Sequence, residues 1–121
     1  MTIENKNRVD AESIKTFRDI DVISVIKEHV LYKGIECVST DRTLLIKDIV
    51  PTALYHYGLK KNPTNVMYAD YGLTLSAKRQ GLFYPYNGKQ QVQLSVELFE
   101  ELKEEDFKFR NPNSNEPYST H

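Results

Sequence analysis

Gly81-Leu-Phe-Tyr-Pro-Tyr-Asn-Gly-Lys-Gln-Gln-Val-Gln-Leu-Ser95 is the stretch on which the fold turns. Asn87-Gly88 at its centre is a two-residue β-hairpin signal, because a type I′ turn needs positive φ at both central positions and Asn-Gly supplies it with least strain. A turn of that length fixes the pairing. Tyr86 faces Lys89, Pro85 faces Gln90, Tyr84 faces Gln91, Phe83 faces Val92 and Leu82 faces Gln93. Side chains alternate with period two, so Phe83 and Val92 share a core-facing side. Tyr84, Tyr86, Lys89, Gln91 and Gln93 fall on the wet side, with Leu82 near its base. Pro85 has no backbone donor and sits in a non-hydrogen-bonded pair, which predicts that 82–86 is an edge strand.

Working outward, Ser95 ends the hairpin and caps a C-terminal helix over 96–105, with Leu98, Phe99 and Leu102 on its buried side. Upstream, Met67, Ala69, Tyr71, Leu73, Leu75 and Ala77 alternate with polar or small residues. That pattern predicts a strand over 66–77 and a meander over about 66–94. A helix from Thr64 to Gln80 is the alternative, at a cost of about 1 kcal/mol for Gly72 in its interior.

Nearer the N-terminus, Asp21 caps a helix over 22–33 that Gly34 stops; Val22, Ile26 and Val30 make its apolar row, which Ile23 widens. Ile35 to Val38 suggests a short strand. Asp41 suggests a further cap, and Pro51 divides the segment between Asp41 and Gly58 into helices over 42–50 and 51–57, since an interior proline costs about 3 kcal/mol. Asp10 suggests a short helix reaching Phe17. The sum is a small single-domain α+β fold over 10–110, between disordered segments 1–9 and 111–121.

The chain has 121 residues and a formal net charge of −1. No apolar run approaches the roughly 18–20 residues of a membrane span. The polar start, Met-Thr-Ile-Glu-Asn-Lys-Asn-Arg, does not resemble a secretory signal. One cysteine, Cys37, cannot form an internal disulfide, and together these features point to a cytoplasmic setting. Charge is unevenly placed. Residues 41–94 hold seven bases and three acids, while 95–110 hold six acids and three bases.

Motifs that carry chemistry are missing: no G-x-G-x-x-G, Walker loop, H-E-x-x-H, C-x-x-C or calcium loop occurs. His29, His56 and His121 are scattered, so neither a metal set nor a Cys37–histidine nucleophile pair has local support. No cofactor, metal or catalytic residue is expected, and the chain is not expected to be an enzyme. The first functional expectation is a small regulatory protein, monomeric or homodimeric, that docks on a protein partner. Its site would use Tyr84, Tyr86, Lys89 and Gln91 on the wet hairpin face, and Glu100 and Glu104 on the acidic helix. Tyrosine gives large contact area at low entropy cost. Richness in Lys, Asn, Ile and Tyr suits an AT-rich source, such as a phage or mobile element that encodes a small inhibitor.

The second expectation is a winged-helix DNA-binding regulator over 42–94, with Lys60, Lys61, Lys78, Arg79 and Lys89 facing nucleic acid. It requires a helix, not a strand, over 64–79.

Overall fold

A computed structural model describes residues 17–111 of the chain. The expected segment 1–9, nearly all of the short helix over 10–17, and the tail beyond Asn111 lie outside the described residues. The described elements are α1 (Val22–Lys33), a 3-10 turn (Ile35–Cys37), β1 (Thr43–Leu45), α2 (Ile46–His56), α3 (Pro63–Arg79), β2 (Gln91–Gln93) and α4 (Val96–Arg110). They form a small α+β fold.

The hairpin forms in the expected register. Asn87 and Gly88 both take positive φ, 54° and 74°. Bridges join Phe83 to Val92 and Tyr86 to Lys89, and the Tyr84 amide donates to the Gln91 carbonyl at 2.8 Å. On its other side β2 pairs antiparallel with β1, Leu44 opposite Val92. β2 is therefore central, and 82–86 lies at the edge, where Pro85 costs no ladder bond. Val92 is fully buried and Phe83 half-buried, while Tyr84 and Tyr86 are exposed. Leu82 leaves the wet side to which its register assigned it and packs against the core.

Three upstream expectations change. The strand expected over 66–77 is the middle of α3. Its buried residues, Asn65, Ala69, Gly72, Leu73, Ser76 and Ala77, follow helical spacing. Asn62 caps it by accepting from the Asn65 amide at 2.8 Å, and Pro63 occupies the first turn, where a missing N–H is harmless. Gly72 is there for close approach. A Cβ at this position would collide with the Phe17 carbonyl oxygen and press on the Ile20 side chain.

The helices expected over 42–50 and 51–57 are one short strand and one helix. Arg42 takes a left-handed φ of 67°, which a helix start does not allow. The Ser39 hydroxyl, not Asp41, organises this corner, accepting from the amides of Asp41 and Thr43. The chain then enters β1, and α2 starts at Ile46, whose amide donates to the Gln90 carbonyl at 2.9 Å. Pro51 lies inside α2. Five apolar side chains (Ile46, Ile49, Val50, Ala53, Leu54) are buried along one face of that helix. At about 1.5–3 kcal/mol for each of the larger ones, this outweighs roughly 3 kcal/mol for the proline.

Ile35–Cys37 is a 3-10 turn, not a strand, because Gly34 (φ 88°) reverses the chain directly after α1. Asp21 caps α1 as expected, accepting from the Ser24 amide at 3.1 Å. The row on α1 is widened by Val25 and His29, however, whereas Ile23 is exposed. Ser95 caps α4, which continues to Arg110 rather than ending at 105. The Arg110 guanidinium donates to the carbonyls of Val30 and Leu31, tying the end of α4 to the end of α1. One core joins these elements: α2 packs on α3 and α1, the sheet closes over Leu44 and Val92, and α4 covers α1 through Leu102.

Candidate functional site

One candidate surface lies where α3 meets the hairpin and the first turn of α2. Helical spacing places Met67, Tyr71, Thr74 and Lys78 along the side of α3 away from its buried row. Met67 and Tyr71 are 59% and 63% exposed, high for side chains of their size. Two hollows run along this side. One of about 550 Å³ lies over Met67, Tyr71 and Thr74, and one of about 320 Å³ lies between Lys47, Gly88 and Lys89. Asp70 and Gln90 line both, so the two form a continuous groove bounded by α3, the hairpin turn and the start of α2.

Lys47 and Lys89 line this groove, and three further lysines lie near the ends of α3. Lys47 stands in the first turn of α2, and Lys89 directly follows the hairpin turn; both are exposed. Lys60 and Lys61 precede α3, in a loop held by the Asn65 side-chain amide, which donates to the Lys60 carbonyl at 2.8 Å. Lys78 lies in the last turn, with its ammonium 5.0 Å from the centre of the Phe83 ring. Arg79 separates from this set. Its guanidinium donates to the Arg18 carbonyl at 2.7 Å and to the Ser76 hydroxyl at 2.9 Å, so it joins α3 to the segment before α1.

The expected protein-docking residues divide between two elements. Tyr84 and Tyr86 stand side by side on the edge strand, rings parallel within 1° and centroids 6.3 Å apart. Gln91 is half-buried in the central strand, opposite Leu45. Glu100 and Glu104 are exposed on α4, where Glu100 pairs with Lys103 at 3.7 Å. That helix packs on α1 and the 3-10 turn.

The chain's nucleophile and base candidates point elsewhere. Cys37 is half-buried, and burial pushes its thiol up, away from the reactive thiolate. His29 bonds Thr52 Oγ1 through Nδ1 at 2.8 Å, and burial pushes its imidazole down towards the neutral form. His56 bonds Glu28. The Tyr32 hydroxyl, hydrogen-bonded to Tyr55, is pushed up to about 12, so it stays a neutral phenol. Among the described residues no three His, Cys, Asp or Glu side chains gather as a metal set. Nor is any described helix long and apolar enough to cross a membrane.

Lys47, Met67, Asp70, Tyr71 and Gln90 were missed as site residues by sequence reasoning. The signal was present in part: read as a helix, 63–79 puts positions 67, 71, 74 and 78 in one row. Lys47 and Gln90 reach the groove only through the pairing of β1 with β2, which no local pattern announces.

Comparison with known proteins gives no match to any family model, any curated sequence or any solved structure.

Proposed function

We propose that this protein binds double-stranded DNA as a winged helix-turn-helix domain, with α2 and α3 as the helix pair, α3 in the major groove and the 82–93 hairpin as the wing. The observation that carries the proposal is the order α1–β1–α2–α3–hairpin, with β1 paired to the hairpin's second strand and the outer side of α3 left open beside it. The same order of elements defines the winged helix-turn-helix architecture. The charge placement supports the proposal separately. Lys47 and Lys89 line the groove, and Lys60 and Lys61 are exposed just before α3, charges available for phosphate contacts that position a helix face able to read bases. At about 1.5 Å per residue, the 17-residue α3 is about 25 Å long and of a diameter the major groove accepts. The net charge of −1 is no obstacle to this reading, because the six acids of 95–110 belong to α4, which packs on α1 and the 3-10 turn.

A second reading is favoured by one specific feature. The exposed parallel pair Tyr84–Tyr86 on an edge strand suits a protein partner, which would make this a docking or inhibitory protein. Fluorescence polarisation with a labelled duplex of mixed sequence separates the two. On the DNA reading the duplex binds, and the double change Lys47→Ala and Lys89→Ala weakens it about tenfold or more, from the loss of two phosphate contacts. Undetectable duplex binding at low salt would reject the DNA reading. Protein capture lost on changing both tyrosines to alanine would replace it with the docking one.

A further inference from the structure

We infer that Asp70 makes α3 select cytosine at one position of its target. This inference rests on the duplex-binding proposal. Asp70 is the only acid in α3, and it stands half-buried beside the exposed Met67–Tyr71 row, lining both hollows of the groove. An acid in a surface that meets a polyanion repels it unless it finds a donor. Lys47 and Lys89 line the same hollow, yet no cation comes within ion-pair distance of the Asp70 carboxylate among the described residues. The lysines are left for phosphates, and the carboxylate is left with its acceptor capacity.

An ionised carboxylate only accepts hydrogen bonds. In the major groove guanine offers the acceptors N7 and O6, and thymine offers an acceptor and a methyl group; donors come only from cytosine N4 and adenine N6. Adenine N6 stands beside the acceptor N7, which repels the second carboxylate oxygen, whereas cytosine N4 stands beside a C–H. Cytosine is therefore the base that Asp70 accepts from at least cost. Met67 and Tyr71, one turn before and one residue after, supply flanking apolar surface that excludes water from this contact.

The test is selection of duplexes from a randomised library by the full-length chain, in parallel with Asp70→Asn and Asp70→Ala. The wild-type chain should enrich a motif with one cytosine column, and replacing that base should weaken binding roughly 5- to 150-fold. Asp70→Asn should turn the same column to adenine, because an amide both donates and accepts and so matches adenine N6 and N7. Asp70→Ala should flatten the column and raise affinity for unselected duplex, since a negative charge is gone. An identical column in all three proteins would overturn the inference and leave the duplex-binding proposal intact. Failure of the wild-type chain to retain any duplex above background would overturn both.

Discussion

Gly72 shows how a single residue can be misjudged from its element alone. In an exposed helix interior, glycine to alanine gains about 1 kcal/mol. Here the new methyl would meet the Phe17 carbonyl oxygen, backbone rather than a flexible side-chain end. Gly72→Ala is expected to lower the free energy of unfolding by about 1–3 kcal/mol in urea titration, the usual cost of overpacking. A neutral or stabilised variant would show that the 17–20 segment does not hold its place on α3. His29 makes a second test at this scale. Burial lowers its proton affinity in the folded state, so between its unfolded value near 6.5 and its lower folded value the unfolded chain binds the extra proton. Stability should be fully present above about pH 6.5 and fall as pH drops through and below that value. The fall should be smaller in His29→Leu than in the wild type when melting temperature is followed from pH 7.5 to 5, and equal slopes would remove His29 from the cause.

At the scale of elements, α2 carries the clearest prediction. Pro51 withholds one amide from the Lys47 carbonyl inside an otherwise continuous helix, and its own side chain is exposed. Pro51→Ala should therefore stabilise the protein, by about 1–2 kcal/mol after allowing for the greater freedom it gives the unfolded chain. Calorimetry showing a lower melting temperature would mean that the restraint Pro51 places on the unfolded chain outweighs the hydrogen bond it withholds. The elements also differ in how far the sequence announces them. The hairpin was legible down to its register because a two-residue Asn-Gly turn leaves no freedom in pairing. The caps at Asp21 and Ser95 were legible because their chemistry is local. Residues 66–77 were not, for a reason of arithmetic: Ala69, Leu73 and Ala77 are spaced by four, which satisfies both alternation and one row of a helix. Tertiary burial of Gly72 and Ser76 decided between them, and neither residue looks like a core residue in isolation. β1 was hidden for another reason, since three residues are too few to show a period and the pairing partner lies some fifty residues away.

At the scale of the whole molecule, charge among the described residues is uneven. Lys47 and Lys89 line the α3–hairpin groove while six acids lie on α4, so a chain close to neutral can still present a surface suited to phosphates. The α+β class was legible in the sequence, whereas the helix at 64–79 stood there only as an alternative to a strand. Of the residues that line the proposed groove, only Lys89 was named from the sequence as a nucleic-acid candidate, because the rest depend on how β1 and α3 are brought together. Duplex affinity measured across a salt series tests the central claim most directly. Four lysines at phosphates predict that the logarithm of the binding constant falls against the logarithm of salt with a slope of about −3 to −4. Replacing Lys89 by alanine should reduce that slope by about 1. A slope near zero, or one unchanged when Lys47, Lys60, Lys61 and Lys89 are all replaced, would contradict the account.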